Sequence, residues 1–334
     1  MFSTLIITDC GRSARRLPLI VSLKATTSFP ASSFDFDENP HPVGDSWAAK
    51  DTSALQGVLE LSLIERISEG RIGVTYSARV VSVTYDRSSV ANALPEIVCL
   101  KFAKKQYSRS LAREAWFYEQ LACCQGTSVP RCYGFFNSTF DEQDNTPDDF
   151  LPWSELKHPH NSERQDSCLT PVSVDSQDWL PDDVPLEHYW DHRGFKHNSP
   201  WNTWIFSEEN PTISVLVLEK LGECCSEHWE EWTEPREGLR EDLIAVAEDV
   251  GAAGLLHTDI TSFNFLYFRG AKTADVRCPH HGVIHDWRVI DFDRSRLVDI
   301  VNGDPQIKQF PKDMNVMDIG CRAVFWAIGY TIDT

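Results

Sequence analysis

Asp259 and Asn264 lie five residues apart in the run Leu256-His257-Thr258-Asp259-Ile260-Thr261-Ser262-Phe263-Asn264-Phe265-Leu266, and a further carboxylate ends Val289-Ile290-Asp291. A loop carboxylate can act as a general base. An amide oxygen and a second carboxylate are the hard ligands that magnesium takes beside nucleotide phosphates. The short apolar segments after Asn264 and before Asp291 read as strands that would bring these groups to one place. A helix-capping Asp259 and a turn Asn264 are the plainer readings, but they leave the joint spacing unexplained. His257 reads as a structural hydrogen-bonding residue.

Two further polar residues sit where strand and helix periodicity would bury them. In Glu96-Ile97-Val98-Cys99-Leu100-Lys101-Phe102-Ala103, alternation puts Ile97, Cys99, Lys101 and Ala103 on one face. An ammonium there must find an anion or snorkel to water. In the helix expected from Ser110 to Ala122, Leu111, Ala115, Tyr118 and Leu121 form an apolar stripe, and Glu114 falls on it. Glu114 either pairs with Lys101 or reaches solvent from the margin of the stripe. The turn Gly70-Arg71-Ile72-Gly73 reads as a hairpin connection or as a glycine-rich approach to phosphates.

Together these motifs resemble the catalytic core of the protein-kinase-like superfamily, as a divergent serine/threonine-kinase-like domain of fungal type with aminoglycoside- and choline-kinase-like features in its catalytic loop. The resemblance covers about residues 59–330, apart from a long insertion. It implies ATP and Mg2+ as cofactors and transfer of a γ-phosphoryl group to a protein serine or threonine or to a small-molecule hydroxyl. It implies Asp259 as base, a Lys101–Glu114 ion pair, and Asn264 and Asp291 on magnesium. Gly70, Gly73, Cys99, Lys101, Glu219 and Leu221 would hold the nucleotide. Several positions depart from the family: Ser68 stands for the first loop glycine, Thr75 for a valine, Thr258 for an arginine, Thr261 for a lysine and Asp293 for the glycine after Asp-Phe. No Ala-Pro-Glu motif follows, and only some forty residues remain. A catalytically weak or inactive pseudokinase acting as a scaffold is the alternative.

The elements that must position these residues are legible in part. Residues 1–55 read as a flexible tail whose Arg12, Arg15, Arg16 and Lys24 faintly resemble a mitochondrial leader. Residues 56–218 read as a kinase-like N-lobe with strands near 59–67, 74–85, 96–103, 129–136 and 213–219. Residues 219–334 read as a truncated C-lobe with a long helix from 236 to 256, a strand over 283–292 and a last helix over 315–328. The expected fold class is therefore α+β: two lobes, a small β-rich one and a shortened, mainly helical one.

Between 137 and 212 lie sixteen Asp and Glu against four Lys and Arg, eight prolines, and Trp153, Trp179, Trp190, Trp201 and Trp204. This stretch reads as a solvated acidic insertion, partly packed back onto the body, with an arm that binds a protein partner as the alternative. The formal charge of −19 argues against a nucleic-acid or anionic-membrane surface. No apolar run approaches the roughly 18 residues of a bilayer span. Ten cysteines that include the neighbours Cys123-Cys124 and Cys224-Cys225 fit reduced thiols in an intracellular, cytoplasmic setting better than a disulfide scaffold. Cys278, His280, His281 and His285 offer zinc-ligand chemistry but lack the paired spacing of a zinc finger, so they read as a polar hairpin loop.

Overall fold

Along Ile97–Ala103 the buried residues Val98, Leu100 and Phe102 alternate with half-buried Ile97, Cys99 and Lys101. The same period of two organises most of the sheet. The computed structural model describes residues 2–12, 18–34, 42–84, 94–140, 149–154, 178, 180–183, 195–226, 238–270, 277–278, 280–300 and 305–328, the last with side chains to 319. The described strands are β1 (Thr4–Thr8), β2 (Val21–Ala25), β3 (Ser33–Phe34), β4 (Val58–Glu69), β5 (Gly73–Thr84), β6 (Ile97–Ala103), β7 (Cys132–Thr139), β8 (Thr212–Glu219), β9 (Leu255–Leu256), β10 (Phe265–Tyr267), β11 (Trp287–Val289) and β12 (Arg296–Val298). The described helices are α1 (Ser108–Gln120), α2 (Leu239–Ala252) and α3 (Pro305–Ile328).

Seven strands close into a barrel in the order β1-β2-β7-β8-β6-β5-β4. All neighbours run antiparallel except β1 and β4, which pair in parallel with Thr4 opposite Val58. One parity of each strand fills the interior, including Leu5, Leu23, Leu61, Leu100 and Val217. Fully burying such a side chain is worth about 1.5–3 kcal/mol. Phe102 meets both Tyr76 and Phe150 edge-on at 5.8 Å, and Phe150 and Trp153 of the acidic insertion pack beside the same interior.

This closure corrects the two-lobed kinase plan. The strands β1 and β2 insert between β4 and β7 and join the two edges of what would otherwise be an open five-stranded sheet. Residues 1–55 are therefore not simply a tail: they supply two barrel strands, β3, and the buried Phe29, Ala31 and Trp47. The expected helical lobe is also overturned, since among the described residues after β8 the only long helices are α2 and α3.

A second core lies between α1, the outer face of β7 and β8, and the paired α2 and α3. Gly251 lets α2 and α3 approach at backbone distance, because a Cβ there would stand 2.6 Å from Lys312 Cα. Beside this core, β10 and β11 form a hairpin, and β3, β12 and β9 form a three-stranded sheet. Described parts of the acidic insertion clamp α1. Asp178 accepts from the Ser110 backbone N–H at 2.8 Å, Asp183 pairs with Arg109, and Asp182 pairs with Arg113. Trp179 and Trp190 lie outside the described residues. No helix among the described residues is long and apolar enough to cross a membrane.

Candidate functional site

All ten of the sequence-predicted site residues line one cavity of about 1080 Å³. Strand β6 supplies Cys99 and Lys101 from its outward parity, opposite the face that fills the barrel. Helix α1 supplies Glu114, which is 1% exposed. Asp259 and Asn264 come from the segment after β9, and Asp291 follows β11.

Lys101 Nζ stands 2.6 Å from Glu114 Oε2 and 2.6 Å from Asp291 Oδ1. Strand β6, the helix 13 residues on and a segment 190 residues away thus meet at one ammonium. Burial alone would lower the lysine, but the two carboxylates outweigh it and hold its pKa above the ordinary value. Burial pushes Glu114 up to about 7, with Lys101 partly opposing. Burial also acts to raise Asp291, but the Lys101 ammonium overcomes this and keeps that carboxyl below its usual range.

The hairpin register explains how Asn264 meets Asp291. Phe265 lies opposite Val289, and Ile290 N–H donates to the Asn264 carbonyl at 2.9 Å. Asn264 is thereby placed across from the residue before Asp291. Its Nδ2 donates to the Asp259 carbonyl at 2.9 Å, so the amide oxygen is the atom left for a hard cation. Asp291 Oδ1 engages Lys101, leaving Oδ2 for the same purpose.

Two non-glycine residues here adopt left-handed backbone, Thr258 at φ 61° and Asp291 at φ 71°. For β-branched Thr258 this costs about 1–3 kcal/mol. It is held by Thr258 Oγ1 donating to the Arg294 carbonyl at 2.9 Å. Fully buried His257 anchors the loop from beneath. Its backbone N–H reaches Asn315 Oδ1 at 3.1 Å, and Nδ1 accepts from Asp259 N–H at 3.3 Å. That leaves Nε2 as the protonated nitrogen, donating to the Ile290 carbonyl at 2.9 Å, and burial lowers the pKa of the ring. No family model and no curated protein matches this chain.

The glycine turn has a structural explanation of its own. Gly70 N–H donates to the Gly73 carbonyl at 2.9 Å, closing the β4–β5 hairpin. A Cβ on Gly73 would lie 2.5 Å from the Phe102 carbonyl oxygen, so the glycine is required by the neighbouring strand. Glu219 is likewise occupied: its carboxylate binds the Arg131 backbone N–H at 3.1 Å and pairs with Arg288. Leu221 packs with Phe268 at the cavity wall.

Sequence reading missed Arg71, whose guanidinium reaches from the glycine turn across the cavity to pair with Asp293. Burial and the Asp291 charge raise the pKa of Asp293. Nothing in the local pattern around Arg71 marks this partner, which lies 222 residues away.

The arrangement brings together a half-buried cation, a carboxylate at Asp259 that forms no ion pair among the described residues, and two oxygen donors at one rim. Such a site can bind a polyanion, hold a hard cation against it and accept a proton beside it.

Proposed function

We propose that this cavity binds ATP with Mg2+ and transfers the γ-phosphoryl group to a hydroxyl, with a protein serine or threonine favoured and a small molecule as the other acceptor class. The observation that carries the reading is Lys101 bridging Glu114 and Asp291 at 2.6 Å each. A half-buried lysine clamped between two carboxylates in a cleft is the kind of charge cluster that functional sites concentrate. Its ammonium would take the nucleotide's phosphate oxygens while Glu114 keeps it oriented.

Asn264 Oδ1 and Asp291 Oδ2 would hold magnesium, whose charge would neutralise that developing on the phosphate oxygens. The acceptor oxygen attacks the γ-phosphorus and the bond to the β,γ-bridging oxygen breaks, its electron pair leaving with ADP. The hydroxyl proton passes to the Asp259 carboxylate. Cys99 would pack against the base, since burial pushes its thiol up to about 12 and keeps it neutral.

A second reading, a nucleotide-binding scaffold without turnover, is favoured by one contact. The Arg71–Asp293 pair spans the cavity where phosphates would enter. The eight described cysteines are free thiols, which suits an intracellular reducing compartment.

Thermal unfolding with ATP, with and without Mg2+, tests the binding claim: a Mg2+-dependent rise is expected, and no shift at all would overturn it. Phosphoryl transfer by purified protein, autophosphorylation included, tests turnover. Loss of transfer in Asp259→Asn with nucleotide binding retained supports the transferase. Nucleotide binding without transfer in the wild type selects the scaffold.

A further inference from the structure

The far side of α2 carries a second cluster that the proposed phosphoryl chemistry does not use. Asp249 on α2 meets Cys278, His281 and His285 from the segment before β11, and one ligand atom from each lies within 4.8 Å of all the others. The separations are 3.6 Å from Cys278 Sγ to His281 Nδ1, 3.2 Å from His281 Nδ1 to Asp249 Oδ1, and 3.2 Å from His285 Nε2 to Asp249 Oδ2. Cys278 Sγ to Asp249 Oδ2 is 3.0 Å. Tetrahedral zinc with bonds of about 2.0–2.3 Å has ligand-to-ligand edges of about 3.3–3.6 Å, so an ion would part the closest of these groups by a few tenths of an ångström. We propose that Asp249, Cys278, His281 and His285 form a structural zinc site.

His285 provides an independent observation. It is 1% exposed, and its Nδ1 lies 2.6 Å from Asp242 Oδ1, which can only accept. Its Nε2 is buried and makes no hydrogen bond, although Asp249 Oδ2 is 3.2 Å away. A ring that donates through Nδ1 presents a lone pair at Nε2. In the neutral ring that lone pair faces a buried carboxylate and a sulfur, an arrangement that a cation held between them reconciles.

The surroundings have the form of a metal's outer shell. Asp242 orients His285, and its other oxygen accepts from the Asp286 N–H at 2.9 Å. Glu248 Oε2 stands 3.2 Å from His281 Nε2, which leaves Nδ1 as that ring's ligand atom. Backbone N–H groups of His280 and His281 point at Cys278 Sγ at 3.3 and 3.4 Å, as suits a thiolate. A thiolate and two imidazoles favour zinc over magnesium or calcium, and four protein ligands leave no open position for catalysis. Instead the ion would tie α2 to the strand that leads into Asp291. His280, grouped with these residues by sequence, supplies no ligand atom; Asp249, 29 residues before Cys278, takes its place.

The test uses the full chain, prepared without a histidine tag, incubated with Zn2+, desalted and assayed by elemental analysis. One zinc per chain is expected. Co2+ in its place should give tetrahedral visible bands and a thiolate charge-transfer band that Cys278→Ser abolishes. His281 is the most exposed ligand, so His281→Ala should fold and yet hold zinc roughly tenfold or more weakly. His280→Ala should keep the one-to-one stoichiometry. Clearly substoichiometric zinc in the wild type would overturn the site, as would unchanged affinity in His281→Ala. Should Cys278→Ser fail to fold, the wild-type stoichiometry and the His281→Ala affinity decide the matter.

Discussion

Arg113 Nη1 donates to the backbone carbonyl of Asp293 at 2.7 Å, joining the middle of α1 to the segment that carries Asp291. The same guanidinium is fully buried and grips Asp182 with both Nε and Nη2, at 3.0 and 3.1 Å. One side chain thus links the acidic insertion, the helix that bears Glu114, and the loop of the candidate site. The insertion is part of the frame that sets the distance between Lys101 and Asp291.

Arg113→Met should therefore destabilise the protein by about 3–5 kcal/mol, since it strands the Asp182 carboxylate at 7% exposure. Equilibrium urea unfolding measures this. Arg113→Lys should rescue little, because one ammonium cannot reproduce the forked contact. A loss below about 1 kcal/mol in Arg113→Met would show that the clamp carries no net stability.

Glu114 makes stability depend on pH in a defined direction. Its carboxyl is pushed up to about 7 by burial, from 4.5, so the folded state holds the proton more tightly than the unfolded chain. That contribution is complete below about pH 4.5 and is lost as pH rises through about 7. Between pH 5 and 8 the wild type should lose on the order of 1–3 kcal/mol relative to Glu114→Gln. Parallel denaturation curves for the two proteins would contradict the shift.

The convergence of Lys101, Glu114 and Asp291 was legible because each residue broke a local pattern: a lysine in an apolar strand, a glutamate on an apolar stripe, a carboxylate after a buried strand. Strands β4, β5, β6 and β8 and helix α1 were legible from their periodicity. The barrel was not. Val21-Ser22-Leu23-Lys24-Ala25 does alternate, and its burial follows that alternation, but five residues in a basic, Ser- and Thr-rich stretch look like a leader. The parallel pairing of β1 with β4 has no local signature, because its partners are 54 residues apart. Asp249 was hidden for a related reason: a helical aspartate shows nothing in sequence of the cysteine and histidines brought to it by a later loop.

Asp293 is the position where the Arg71 contact would obstruct a nucleotide's phosphates. In Asp293→Asn the ion pair with Arg71 weakens and a negative charge leaves the phosphate region. Mg2+–ATP should then bind roughly fivefold more tightly, the equivalent of about 1 kcal/mol. Isothermal titration reads this directly. Weaker binding would instead make Asp293 a ligand for the cation.

Gly251→Ala tests the packing of α2 on α3 and how that packing supports the Asp259 loop. The added methyl would meet Lys312 Cα at 2.6 Å, Lys312 N at 2.7 Å and the Pro311 carbonyl carbon at 2.9 Å, all backbone atoms that no rotamer change can remove. The helices must separate, at a cost of about 1–3 kcal/mol despite alanine's better helix propensity. Because α3 carries Asn315, whose Oδ1 holds the His257 N–H and whose Nδ2 reaches the Leu255 carbonyl at 2.8 Å, that separation should also loosen the Asp259 loop. Hydrogen exchange should show faster exchange at His257 and Asp259 than in the wild type, with the barrel strands unchanged. Exchange that rises uniformly across the barrel would mean instead that α2 and α3 unfold together with it as one cooperative unit.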